Sequence, residues 1–501
     1  MPNRRARLSP QSAHGQLAAA LAALREGDDV PVDFSPEALA EAASAAPADT
    51  ELDLRRIPFV TLDPPGARDL DQAFHLERSG DGFRVRYAIA DLPGFVPAGG
   101  ALDREARQRG QTLYLPDGRI PLHPAALSED RASLLPGSDR TAYVWTLDLD
   151  AAGALASARV ERAHVRSRAQ LDYPSAQAAI DGGGADELLE LLRTVGVLRI
   201  EQERLRGGAS LNMPDEEIVR DPGGYRIVRS FALPVEEWNA QLSLLTGMAA
   251  GRMMLDAGVG ILRTMPGPDE EALAAFRARV ASLGHPWPAE LGYGAYLERL
   301  DPASPTTPAV LQAAASLFRG ADYTPFDGEP PQQTVQAAIA APYAHVTAPL
   351  RRLVDRWGLV ICAAICADRP VPEWVRASLG ELPALMRASN QRAGRLGSQA
   401  LDRVEAALLR DRVGDILPAV VVEVRGDRAR VQLDDPAVTT QISAAGCSAG
   451  THVDVRVVAA DVATGAIELT LVARDADPDA GGDSNSESAA PNRSSGAADA
   501  A

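Results

Sequence analysis

A chain of 501 residues with 46% hydrophobic and 24% charged side chains has the composition of a folded globular protein, and it is longer than one hydrophobic core supports. Its formal net charge of −18 excludes indiscriminate electrostatic binding of nucleic acid, and three cysteines exclude a disulfide-stapled framework. No apolar run reaches the ~20 residues of a membrane span, and the basic start MPNRRARLSPQSAHG is not followed by the apolar segment of a secretory signal, so a cytoplasmic protein with no membrane association is expected.

All 50 basic side chains are arginines, so every cationic contact comes from a planar, forked guanidinium suited to phosphate. The segment from Asp475 onward holds six acids against Arg493 and so accounts for five of the 18 net negative charges. A polyanion site on the remainder must be a local arginine cluster.

Residues 1–56 read as a helical module, a candidate helix-turn-helix: QSAHGQLAAALAALREG is rich in Ala and Leu, and Ser35-Pro36 precedes EALAEAASAA as a good N-cap with Pro in the first turn. The stretch FVTLDPPGARDLDQAF, 59–74, then runs an apolar strand into a Pro-Pro-Gly turn and gathers Asp63, Asp69 and Asp71 around it. Carboxylates fixed at the end of a core strand raise one another's pKa unless a cation lies between them, and a hard divalent ion such as Mg²⁺ is satisfied by a few such oxygens.

AFHLERSGDGFRVRYAIADL and TAYVWTLDLDAAGALASARVERAHV read as two hairpins with alternating apolar positions. Long helices are expected over Glu236–Gly258 and from Gln332 through Ala367, with Cys362 and Cys366 as buried helix residues. Residues 57–408 therefore form an α+β domain. Residues 409–474 change to short alternating strands, Leu417–Val424, Arg428–Leu433, Thr439–Ile442, His452–Ala459 and Ala466–Val472, the pattern of a small five-stranded oligonucleotide-binding barrel. The acidic, apolar-poor stretch 475–501 is expected to be disordered. The fold class is thus multi-domain α+β.

The acidic stretch, YAIADL at 87–92, TLYLPDGRIPLHPAALSED at 112–130, SLLPGSDR at 133–140 and YAHVTAPLRRLVDRW at 343–357 resemble, in order, the blocks of the ribonuclease II/ribonuclease R family of 3′-to-5′ exoribonucleases. The final barrel is similar to that family's S1 domain. The resemblance implies Mg²⁺-assisted hydrolysis of RNA to nucleoside 5′-monophosphates, with Mn²⁺ as an alternative ion, RNA as the partner and a monomeric enzyme. It assigns Asp63, Asp69, Asp71 and Gln72 to the metal, with Asp69, Asp71 and Arg351 catalytic, and Tyr114, Tyr173, Tyr343, His345, Thr347, Arg351 and Arg352 to RNA.

Three departures stand out. Gln72 occupies the place of the family's fourth aspartate, which weakens or rearranges metal binding unless another carboxylate such as Asp91 compensates. The stretch RGGASLNMPDEE, 206–217, lacks the aromatic residue that would complete the family's base clamp. Two cold-shock-type barrels, usual in front of this domain, do not fit into 56 residues, so a more open channel and tolerance of structured RNA are expected. Arg387, Arg392, Arg395 and Arg403 either line that channel or form a solvated helical face. The alternative to an exoribonuclease is a catalytically weakened RNA-binding or regulatory protein on the same scaffold.

Overall fold

The structure, a computed structural model, describes residues 6–8, 15–27, 30–208, 215–221, 224–301, 304, 306–433, 435–436, 438–444, 446–448 and 450–472. The 475–501 tail lies outside them, as do residues 209–214 of the stretch that lacks the clamp's aromatic residue.

Helix α1 (Gln16–Arg25) and helix α2 (Pro36–Ser44) fall where the sequence places them, and Ser35 caps α2 by accepting the Ala38 N–H at 3.2 Å. They do not pack as a helix-turn-helix. Leu17, Leu21 and Leu24 of α1 join a core with the C-terminal sheet, whereas Ala38 and Ala42 of α2 join a different core against the central domain. Each helix finds its apolar partners in a remote part of the chain.

Strand β1 (Phe59–Asp63) runs into the Pro-Pro-Gly turn, and β2 (Gln72–Ser79) with β3 (Gly82–Ala90) makes the first expected hairpin. Helix α3 (Ala101–Arg109) leads to a small hairpin of β4 (Leu113–Leu115) and β5 (Gly118–Ile120). Strands β6 (Asp139–Leu149) and β7 (Leu155–Asp172) make the second expected hairpin. The two large hairpins and β1 close into one barrel in the order β1-β2-β3-β6-β7. Closure comes from β1, which pairs in parallel with β7, Asp63 opposite Asp172, and antiparallel with β2 at Val60 and Phe74. Both faces of the barrel are buried: Val85, Tyr87 and Ile89 join one core while Ala88 and Ala90, out of phase by one residue, join another.

The expected helix at Glu236 is α4 (Pro234–Ala257). The run from Gln332 to Ala367 is corrected: only α5 (Asp355–Cys366) is helical in it, and residues 332–354 are irregular apart from a short ladder of Val335–Gln336 with Ala341–Pro342. The alanine-rich composition suggests helix, but Pro342 and Pro349 each lack an amide donor and prevent one. Instead the segment lies along α4, where the Ala344 N–H donates to the Gly247 carbonyl at 3.0 Å. A Cβ on Gly247 would lie 2.2 Å from Tyr343 Cε2, and one on Gly251 2.8 Å from the Tyr343 nitrogen, so glycines four apart make the groove that seats it.

Helix α6 (Leu382–Leu409) leads into β8 (Ile416–Arg425), β9 (Arg428–Leu433), β10 (Thr439–Ser443), β11 (His452–Asp461) and β12 (Ala466–Val472). These five strands lie in the order β10-β9-β8-β11-β12 and curl until β10 and β12 approach each other, close to the expected barrel. Residues 416–472 include no Phe, Tyr or Trp. One continuous core joins this sheet (Ala419, Val431, Val455) to α6 (Leu396, Val404), to α1 and to Leu113, Leu115 and Ile120 of the small hairpin. Among the described residues no helix is long and apolar enough to cross a membrane.

Candidate active site

The acidic turn is built as a rigid loop. Gly66 adopts φ +78°, a conformation that favours glycine, and the Ala67 N–H donates to the Pro64 carbonyl at 3.2 Å. Leu70 is fully buried, its N–H donating to Ser133 Oγ at 3.0 Å and its carbonyl accepting the Leu134 N–H at 3.1 Å. Anchoring Leu70 inward fixes the directions of Asp69 and Asp71 on either side of it.

Asp63 ends β1 with Oδ2 buried and without a hydrogen-bond partner. Burial, reinforced by the charge of Asp69, pushes its carboxyl up to about 7 against the pull of Arg351. Asp71 is 3% exposed; its Oδ1 accepts the Leu350 N–H at 2.8 Å, and Arg351 Nε stands 3.5 Å from Oδ2. Burial pushes Asp71 up to about 8, with Arg351 and the Leu350 amide opposing. Asp69 Oδ1 is held at 2.5 Å by Arg119 Nη1, whose Nη2 meets Glu129 Oε1 at 2.8 Å. Gln72 donates from Nε2 to the Thr347 carbonyl at 2.5 Å, and Thr347 Oγ1 accepts the Ser243 hydroxyl at 2.8 Å.

These contacts bring Asp63, Asp69, Asp71 and Arg351 into one electrostatic cluster, with Gln72 at its edge. Asp91 does not join them. It is fully buried, pairs with Arg162 at 2.9 Å and caps the turn at Gly94, so it supplies no compensating carboxylate. An all-oxygen donor set with an orphaned buried carboxylate oxygen and two carboxyls displaced toward neutrality is an environment that a hard divalent cation relieves. No three His, Cys, Asp or Glu side chains among the described residues stand close enough to chelate an ion as arranged; Asp69 is engaged by Arg119, and Asp71 by the Leu350 amide and Arg351.

Around the acids, Tyr114 on the small hairpin is 53% exposed and faces Asp69, Asp71 and Arg351. Tyr173 opens the helix after β7, and its hydroxyl lies 3.4 Å from Asn239 Nδ2, with burial and nearby Asp63 pushing it up to about 12. Tyr343 is buried edge-on to His345, whose Nδ1 shares a 2.7 Å hydrogen bond with the Tyr323 hydroxyl; burial and Arg352 hold His345 neutral. Arg352 forks onto Asp355, which also accepts the Ala348 N–H at 2.7 Å, so Arg352 is engaged within the protein while Arg351 keeps 43% of its side chain exposed. On α6, Arg387 pairs with Asp322 at 2.6 Å and Arg392 donates to the Gln108 carbonyl at 3.1 Å.

Sequence reasoning misses Arg119, Glu129, Asn239 and Ser243. The last two had a signal: Asn239, Ser243, Gly247 and Gly251 repeat every four residues along one face of α4. Nothing in the spacing of Arg119 or Glu129 announces a partner at Asp69.

Residues 51–360 match the RNB domain family, and residues 415–472 match the RNase II-type exonuclease C-terminal S1 domain. Ribonuclease R of Escherichia coli (strain K12) is 27% identical over 418 residues, covering 77% of this chain and 50% of its own length. Exosome complex exonuclease RRP44 homolog A of Arabidopsis thaliana is 30% identical over 323 residues, covering 60% of this chain and 34% of its own. The chain thus spans half or less of the length of these curated relatives. Among solved structures, Mycoplasma genitalium RNase R in complex with ribose methylated single-stranded RNA shares the fold at TM-score 0.79 and 18% identity, covering 91% of this chain and 78% of that one. Yeast Ssd1, a pseudonuclease, does so at TM-score 0.66 and 14% identity, covering 87% and 56%. The acids, Tyr114 and Arg351 all fall inside the first family match, and the chain belongs to the RNB domain family, with an RNase II-type S1 domain at its C-terminal end.

Proposed function

We propose that this chain is a divalent-metal-dependent 3′-to-5′ exoribonuclease that hydrolyses single-stranded RNA and releases nucleoside 5′-monophosphates, with Mg²⁺ as the resident ion and Mn²⁺ able to replace it. The observation that carries this reading is the meeting of Asp63, Asp69, Asp71 and Arg351 in one cluster, with the exposed ring of Tyr114 close to Asp69, Asp71 and Arg351. A protein that only bound RNA would gain nothing from buried acids whose ionised forms repel phosphate.

Asp63, Asp69, Asp71 and the Gln72 carboxamide oxygen would hold the ion, which supplies the charge that polarises a phosphodiester and makes water a competent nucleophile near neutral pH. The residues of the chain provide the remainder. Tyr114 offers a ring face on which a terminal base of any identity can stack. The exposed guanidinium of Arg351 can turn to the scissile phosphate and stabilise the charge that develops there. The Leu350 amide keeps Asp71 oriented, and Tyr173, tied to Asn239, flanks Asp63.

The second reading, a catalytically weakened RNA-binding protein, is favoured by one feature, the uncharged Gln72 turned to the Thr347 carbonyl. Incubation of the full chain with 5′-labelled single-stranded RNA, with Mg²⁺ or a chelator, separates the two. Progressive shortening that requires the ion and disappears in Asp71→Asn supports the exoribonuclease. Retention of intact RNA by a folded protein at all ion concentrations refutes it and favours the second reading.

A further inference from the structure

Arg119 lies on β5 directly opposite Tyr114 on β4, so the two side chains share one face of the small hairpin. Its guanidinium is forked between two carboxylates of different standing. Asp69 belongs to the acidic cluster and is 14% exposed at its side chain; Glu129 belongs to the turn of helix Leu127–Arg131 outside the cluster and is 27% exposed. The first contact consumes an oxygen that the metal site needs, and the second does not.

Building on the reading of the acids as a metal site, we propose that Arg119 is an exchangeable counter-ion for Asp69. Without a metal ion it neutralises Asp69 and relieves the repulsion between Asp69 and Asp63. When an ion binds, it releases Asp69 and remains tethered to the hairpin's side of the site through Glu129. Arg119 is therefore a positioning residue that acts through Asp69, and it sets the apparent metal affinity by competition. A full −1 charge at position 72 would strengthen the metal's side of that competition; the carboxamide of Gln72 does not, which makes the arginine's share larger in this chain.

Binding of Mn²⁺ to the full chain, followed through the paramagnetic resonance signal of the free ion, tests this in the parent, Arg119→Gln, Arg119→Lys and Glu129→Gln. Losing the competitor is expected to tighten Mn²⁺ binding in Arg119→Gln by about 5- to 150-fold, the usual span of a coupling between two binding events. Glu129→Gln, which leaves Asp69 as the sole anion for Arg119, is expected to weaken it, and Arg119→Lys to stay near the parent. A purely structural arginine predicts the opposite sign for Arg119→Gln, because Asp69 would lose its orientation. Unchanged or weaker binding by a folded Arg119→Gln overturns the proposal; should that variant not fold, unchanged or tighter binding by Glu129→Gln does so. If instead Asp63→Asn binds Mn²⁺ as the parent does, the assignment of the acids as the metal site is what fails.

Discussion

Replacing Asp71 by Asn should stabilise the metal-free protein while abolishing its activity. The carboxyl is 3% exposed and is pushed from 3.8 to about 8, so in the folded chain it is largely protonated at pH 7 while in the unfolded chain it is ionised. The folded state then binds more protons than the unfolded state, and stability falls as pH rises from about 4 through about 8. The displacement spans about four pH units at about 1.4 kcal/mol each, a ceiling of roughly 6 kcal/mol, and relaxation around buried ions reduces such penalties to several kcal/mol. Asn retains an oxygen for the Leu350 N–H but carries no ionisable group, so a gain of about 3 kcal/mol is expected at pH 7.5, vanishing near pH 4. RNA shortening should fall by at least about 1,000-fold, since the charge that organises the reaction is gone. Thermal unfolding in chelator from pH 4 to 9, beside the labelled-RNA assay, measures both. An Asn variant less stable than the parent at pH 7.5 would show that the Asp71 carboxylate is comfortable without a metal ion, and the argument from strain would collapse.

Gln72→Asp removes the donor to the Thr347 carbonyl and sets a carboxylate against it, at a cost of about 1–3 kcal/mol without metal, and should tighten Mn²⁺ binding; a variant equal to the parent in both chelator unfolding and Mn²⁺ titration would contradict this. Tyr114→Ala should weaken RNA binding by about 1–3 kcal/mol, read by filter retention, with Mn²⁺ affinity unmoved, because the ring is exposed and makes its contribution by stacking. Gly247→Ala drives a methyl into Tyr343 and should cost about 1–3 kcal/mol of stability; its larger effect should be on turnover rather than on RNA affinity, since the displaced segment carries Thr347 and Arg351.

The elements whose own residues decide them are legible in the sequence: α4 from its length, the five C-terminal strands from alternation and turns, the acidic loop from prolines, glycine and flanking apolar residues. Barrel closure is not, because β1 and β7 pair in parallel across about a hundred residues of intervening chain and no local pattern encodes that partner. The segment 332–354 misleads in the other direction, its alanines suggesting helix while two prolines and a glycine groove on another element decide otherwise. In the site, residue type announces the acids and the exposed tyrosine. The states of these groups depend on groups far along the chain: Arg119 for Asp69, Leu350 for Asp71, Thr347 for Gln72.

The core that joins α1, the small hairpin, α6 and the C-terminal sheet changes how a deletion should be interpreted. The back of the hairpin that presents Tyr114 and Arg119 rests on Leu113, Leu115 and Ile120, which pack in the same apolar mass as the sheet, and Arg25 at the end of α1 grips Asp117 at the hairpin's tip at 2.6 Å. The sheet, which carries no aromatic ring over residues 416–472, braces the hairpin from behind through this shared core. A chain trimmed before residue 416 would lose turnover through a slackened hairpin even on an RNA too short to reach the sheet. Helix α1 and the C-terminal sheet are thus joined to the hairpin that carries Tyr114 and Arg119 through one shared interior.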